Sequence, residues 1–236
     1  MFEALTPIFY DPILNLLVWL YNTVPGHDIG VAIVLVTFAI RVLTYPLVNK
    51  QLKSQAAMNA LQPKLNEVRE KYKNDKEGQA KAMMEMYKTH KVNPLSSCLP
   101  LLIQLPVLIA LYYVFNYALK GDLTGLYPFV YNPGSINPTF FGLVNLAKPD
   151  FAFALVAGAL QFWQTKMMMP KNAVQDATAK ALNLQALYFF PIITVVFAWN
   201  LPAGLPLYWI VNTLFGIVQQ WYIQRTPKPG TVEIVK

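Results

Sequence analysis

Residues 29–48, IGVAIVLVTFAIRVLTYPLV, restrict what this chain can become more than any other stretch. About 20 helical residues at 1.5 Å rise cover the roughly 30 Å of a bilayer's hydrocarbon. The run is long enough to cross a membrane, yet it contains Arg41. An arginine near the centre of a spanning helix costs roughly 2.5–3.5 kcal/mol on insertion scales. Something polar must receive that guanidinium.

Composition agrees with a membrane setting. The chain has 236 residues, of which 55% are hydrophobic and 13% charged, with a mean hydropathy of +0.35. A soluble domain carries about 25% charge. The net charge of +7 falls in the gaps between apolar runs rather than on one soluble face. Anionic headgroups and the positive-inside bias account for it without nucleic-acid recognition. The single cysteine, Cys98, excludes an internal disulfide and a Cys-based zinc cluster, and its leucine neighbours place it as a small core residue. Residues 1–11 carry Glu3 and Asp11 but no Lys or Arg, which is not the pattern of a secretory signal.

The apolar runs divide the chain. Residues 1–26 read as an amphipathic helix in the membrane interface, with Trp19 and Tyr21 at headgroup level, because the unbroken run 13–24 is too short to span. The first span covers 27–49. Residues 50–92 then carry ten Lys or Arg against Glu67, Glu70, Asp75, Glu77 and Glu85. Leu61, Leu65, Val68 and Tyr72, then Ala80, Met83, Met84 and Tyr87, recur at helical spacing on either side of a turn at residues 74–78. This predicts a helical hairpin in the cytoplasm, with Pro63 kinking its first arm or marking its start.

Further spans are expected at 94–118, 150–168, 183–201 and 205–224, separated by an outer loop at 119–149 and a cytoplasmic connection at 169–182, with a tail from 225 to 236. The outer loop carries only Lys120, Asp122 and Lys148 as charges. Pro202, Ala203 and Gly204 leave room only for a tight re-entry, which predicts that the last two spans are antiparallel neighbours. With the N-terminus outside, the inner side holds the hairpin's basic residues plus Lys166, Lys171, Lys180, Arg225, Lys228 and Lys236, against Lys120 and Lys148 outside. That asymmetry sets N-terminus out and C-terminus in. The fold class expected is an all-α membrane protein of five transmembrane helices.

Thr37, Arg41 and Tyr45 lie at i, i+4 and i+8 and give the first span one polar face. The predicted spans contain no Asp or Glu to neutralise Arg41, but they offer Gln104, Tyr112, Asn116, Gln161, Gln164, Asn200, Asn212, Gln219 and Gln220. Together these predict a hydrated cavity open to the cytoplasm; the simpler reading is that Arg41 snorkels to inner headgroups. His27 and His90 fall outside the spans, and no HExxH, GxSxG or intramembrane aspartate pair is present, so the chain is not expected to be an enzyme, and no cofactor or metal is expected. An anion channel or small transporter remains as the alternative, and a pure assembly scaffold as a third class.

TFAIRVLTYPL, LQPKL, KVNPLSSCLPLLIQLPVLIALYYVF and LPAGLPLYWIVNTLFGIVQQ, in this order and spacing, closely resemble the YidC family of membrane protein insertases, relatives of the mitochondrial and chloroplast oxidase-assembly insertases. The resemblance is to the form without a large periplasmic domain. It implies a five-span core around a hydrophilic groove, open to cytoplasm and lipid and closed to the outside. The groove arginine falls at Arg41, with Thr37, Gln104 and Trp209 as neighbours. Adding Tyr45 and Asn212 from the spacing, the expected substrate-binding groove is Arg41, Thr37, Tyr45, Gln104, Trp209 and Asn212. The implied partners are nascent membrane proteins and the phospholipid bilayer, with the ribosome and the Sec translocon as additional ones. The implied mechanism draws a short hydrophilic, often acidic segment towards Arg41 while its apolar helix slides into lipid.

Overall fold

A computed structural model of the chain describes residues 6–90, 92–93, 99–169 and 177–225. Cys98, Pro170, Lys171, Asp176 and the tail residues Lys228 and Lys236 lie outside the described residues, as does Glu3. A π turn at Thr6–Tyr10 leads into α1 (Asp11–Thr23), followed by α2 (Ile29–Lys71), α3 (Lys76–Thr89), α4 (Leu99–Ala118), α5 (Phe151–Met168), α6 (Ala177–Trp199) and α7 (Gly204–Arg225). By length and apolarity together, α2 alone qualifies as a span among the described residues; Gln104–Ala118 and Asn183–Trp199 are apolar but shorter.

Three helices begin on an aspartate that accepts from a first-turn amide: Asp28 from Val31, Asp75 from Gly78 and Asp150 from Phe153. Each satisfies an orphan N–H and complements the helix dipole. Asp75 caps α3 at Lys76, so Lys76, Glu77 and Gly78, expected in the turn, are helical. The basic hairpin is formed by α3 folding back on the end of α2, where Leu61 and Leu65 are buried and Gln79 Nε2 donates to the Arg69 carbonyl at 3.1 Å. Its first arm does not start at Pro63: α2 runs unbroken through both Pro46 and Pro63. Each proline removes one N–H, and a long helix bonded on both sides tolerates that loss.

The core sits at one end of the bundle. Leu14, Leu17 and Val18 of α1, Ile33 and Val36 of α2, Leu111, Val114 and Phe115 of α4, and Leu205 and Tyr208 of α7 are all fully buried there. Small residues allow the approach. A Cβ on Gly204 would lie 3.3 Å from Phe115 and 3.4 Å from Ile33, which puts α2, α4 and α7 together at one point. A Cβ on Gly158 would lie 2.3 Å from Val195 Cγ2, which explains the broad contact between α5 and α6.

Two expectations change here. Despite the tight turn at Pro202 and Ala203, α6 and α7 form no broad contact among the described residues; α6 packs on α5, while α7 packs on α2 and α5. A short loop brings chain ends together, but the glycine positions decide which faces meet. Tyr21, expected at the interface beside Trp19, is buried beneath the loop, where its hydroxyl accepts from the Asn137 amide at 2.9 Å, whereas Trp19 is exposed.

That bond belongs to a wider seal. The loop between α4 and α5, expected on the outer side, holds a two-stranded antiparallel ribbon, Thr139–Phe140 against Val144–Asn145, not anticipated in an all-α fold. Asn15 Nδ2 donates to the Gly125 carbonyl and its Oδ1 accepts from the Tyr127 amide, at 3.0 and 2.6 Å. Asp28 Oδ2 accepts from Phe141, and the Ala203 and Gly204 amides donate to Lys148 and Leu146 carbonyls. Thr124 donates to Asp122 from both hydroxyl and amide and holds that carboxyl below the usual carboxylate range. Burial, with Asp122 and Asp11 nearby, raises the Tyr10 phenol, which places the loop's start against the π turn.

The closest approach in this seal is at Gly30, where a Cβ would fall 2.0 Å from Phe140 Cδ2. Overpacking of that kind costs about 1–3 kcal/mol. Gly30→Ala is expected to lower the unfolding free energy in detergent by this amount, and Gly30→Ala with Phe140→Ala to recover part of it; a wild-type value for the single variant refutes the contact.

Candidate functional site

Beyond the packed end, the α2–α7 interface turns polar. Arg41 Nη2 donates to the backbone carbonyl of Asn212. The two helices approach because α7 has Gly216 one turn further on: a Cβ there would lie 3.3 Å from Arg41 Nη2 and 2.2 Å from Gln164 Nε2 of α5. Three helices therefore bring a guanidinium, an amide and a carbonyl to one place. Asn212, Gly216, Gln219 and Gln220 recur at spacings that give α7 a single polar face. Arg41 Nε, Gln51 Nε2, Gln219 Nε2 and Gln220 Oε1 are buried with no hydrogen-bond partner among the described residues. Arg41 has no carboxylate partner there either; the ion pair found is Lys81 with Glu77 on exposed α3.

The predicted residues occupy different parts of this region. Along the α2 face, Thr37 is 0% exposed and donates to the Ile33 carbonyl at 2.7 Å, Arg41 is half-buried, and Tyr45 is 47% exposed. The face thus opens progressively away from the packed end. Thr44 donates back to the Ile40 carbonyl at 2.7 Å, so its hydroxyl is held by its own helix. Gln104 of α4 donates to the Tyr208 hydroxyl at 2.6 Å. Trp209 is half-buried and Asn212 contributes its carbonyl to Arg41.

Tyr208, Gly216 and Gln51 were not singled out from the sequence. Tyr208 lies within electrostatic reach of Arg41 and is 1% exposed, so it joins Gln104 to the arginine's surroundings. Its signal was present in the adjacent Tyr208 and Trp209 pair, but helical phase across an almost uniformly apolar run does not say which of the two points inward. Gly216 carries no chemistry by itself, and Gln51 lies beyond the apolar run. Among the described residues no group of three or more His, Cys, Asp or Glu forms a metal site.

Removing the phenol leaves the half-buried Gln104 amide without its acceptor, and an unsatisfied donor shielded from water costs up to about 1–3 kcal/mol. Tyr208→Phe is expected to destabilise the protein by that amount in denaturant titrations, and Tyr208→Phe with Gln104→Met to recover most of it. Trp209→Phe should lose less than Tyr208→Phe; the reverse order would show that the bond is not structural.

A family model described as "60Kd inner membrane protein" matches residues 19–229. The chain is 34% identical to a protein named "Membrane protein insertase YidC" from Fusobacterium nucleatum, covering 92% of this chain and 97% of that one. It is 35% identical over 91% of its length to a protein of the same name from Geobacter sp. strain M21, and 37% identical over 91% to one from Syntrophus aciditrophicus. It spans only 36% of the length of each of these last two. The family match runs from the end of α1 through α7, Arg41 included, and the chain belongs to the YidC family, the 60Kd inner membrane protein family.

Proposed function

We propose that this protein is a membrane protein insertase and chaperone of the bacterial inner membrane, with five spans, its N-terminus outside and its C-terminus in the cytoplasm. The first span is the α2 segment up to about residue 49, and α4 to α7 supply the others. The hairpin of α2 and α3 stands in the cytoplasm and receives substrates. The basic residues of residues 50–92 on one side, against Lys120 and Lys148 on the other, support that orientation.

The observation that carries the reading is Arg41: a guanidinium within an apolar helix, bonded to a carbonyl rather than a carboxylate, with buried glutamine amides on the same two helices. A carbonyl satisfies a donor without cancelling the charge, so the positive potential stays available to an arriving anion. A hydrophilic, acidic segment of a nascent protein enters from the cytoplasm towards Arg41, past Tyr45, Gln104, Trp209 and Asn212, with Thr37 at the closed end. Amides and water in the groove lower its desolvation cost.

The substrate's apolar helix leaves sideways. Among the described residues α4 packs on α1, α2 and α7 and makes no broad contact with α5 or α6, which leaves that side unsealed. Transfer of the helix into lipid yields roughly 25 cal/mol per Å² of apolar surface, and a translocated charge gains about 2.3 kcal/mol per 100 mV of potential. No nucleotide step is required. The ribosome and the Sec translocon are proposed as delivery partners on family grounds alone. An anion pore asks for a ring of charges; the neighbours of Arg41 are amides, a phenol and a carbonyl.

In proteoliposomes, Arg41→Ala is expected to reduce protease-protected insertion of a substrate with an acidic translocated tail by about tenfold, the factor carried by 1.4 kcal/mol. Arg41→Lys keeps the charge and should retain much of the activity. Wild-type insertion by Arg41→Ala overturns the groove mechanism.

A further inference from the structure

The outer loop exposes an apolar tip that neither the bundle nor the groove uses. From Leu123 to Ala147 the chain runs 25 residues without one Asp, Glu, Lys, Arg or His. About a quarter of residues in an ordinary soluble domain carry charge, so a water-facing loop of this length would hold about six. Part of the uncharged stretch is explained by packing, since Leu123, Val130, Ile136 and Leu146 are buried. The remainder is not: Leu143 is 87% exposed, Phe129 79%, Tyr131 77% and Phe141 69%.

The backbone presents two of these deliberately. Phe141 and Gly142, in the link between the two ribbon strands, both have positive φ, at 48° and 70°, and the Leu143 amide donates to the Phe140 carbonyl at 3.0 Å. A phenylalanine adopts that conformation rarely, and here the Asp28 carboxylate holds its amide. Phe140 packs down on Gly30 at the start of the apolar helix while Phe141 and Leu143 stay outside. The ribbon is therefore tied to the N-terminal end of α2, whose next turns expose Leu35, Phe38 and Val42. A loop with an exposed apolar tip is thus fastened to the end of a bilayer-length helix that exposes apolar side chains of its own.

We propose that the ribbon tip, Phe141 and Leu143, with Phe129 and Tyr131 in the same loop, inserts into the headgroup and upper acyl region of the outer leaflet. Aromatic and leucine side chains on an uncharged backbone suit that layer. The occupant is phospholipid, not a protein partner or a second copy, because the tip adjoins the lipid-facing helix rather than a free aqueous surface. The loop then does two things at once: it seals the outer end of the bundle with its buried residues and sets the bundle's depth with its exposed ones. This rests on the membrane orientation proposed above.

The test uses the full chain with Cys98→Ala, carrying an environment-sensitive NBD label at Leu143→Cys, in phosphatidylcholine–phosphatidylglycerol nanodiscs. Val218→Cys, on the exposed face of α7, serves as the span control, and Lys76→Cys, on the exposed hairpin, as the aqueous control. The Leu143 label is expected to emit to the blue of the Lys76 label, to be quenched several-fold more by lipids with a shallow doxyl group, and to be protected from iodide. If it behaves like the Lys76 label while the Val218 label is quenched by deep doxyl lipid, the loop faces water or protein and the proposal is overturned with the topology intact. If the Val218 label is unquenched as well, the membrane reading of α7 fails and the loop proposal fails with it.

Discussion

The bond from Arg41 to the Asn212 carbonyl is the constraint around which the polar half of the molecule is arranged. A guanidinium cannot be left unpaired within an apolar helix, and a carboxylate partner would neutralise it. A backbone carbonyl in a helix is ordinarily engaged by an amide one turn on, so reaching one from the neighbouring helix demands very close approach. Gly216 permits it, and the same absent side chain admits Gln164 from α5. The arginine thereby meets α7 where α7 carries no side chain.

The packed, apolar half obeys a different rule. There the helices meet through aliphatic and aromatic side chains, and the loop between α4 and α5 closes the end with amide bonds to Asn15, Tyr21 and Asp28. Those three side chains take up backbone groups that would otherwise be orphaned beside apolar helices. One end of the bundle is thus apolar and closed by loop hydrogen bonds, and the other holds buried polar atoms without partners among the described residues. The exposure of α2's polar face, rising from Thr37 through Arg41 to Tyr45, follows that division.

The glycines show how such a bundle closes without a large hydrophobic drive between helices. Gly30, Gly158, Gly204 and Gly216 each stand where a methyl group would meet a neighbour. In lipid, association depends on van der Waals fit and interhelical hydrogen bonds, so the smallest residues decide which faces touch. They also explain why α6 pairs with α5 across Gly158 and Val195 rather than with α7 across a tight turn.

By itself the sequence determined the family, the apolar helices, the basic hairpin and the presence of an arginine where bilayer physics needs a polar partner, because length, hydropathy and charge are one-dimensional properties of a chain. Arg41, Asn212 and Gln104 stood out in the sequence as polar residues within apolar runs. The tertiary structure alone decided that Asn212 meets Arg41 through its carbonyl, that Tyr208 rather than Trp209 meets Gln104, that Tyr21 is interior, and that the loop between α4 and α5 holds a ribbon. In an almost uniformly apolar helix periodicity carries no phase, so which side chain faces a neighbour is set by shape, through glycine positions and loop hydrogen bonds that only the packed molecule brings together.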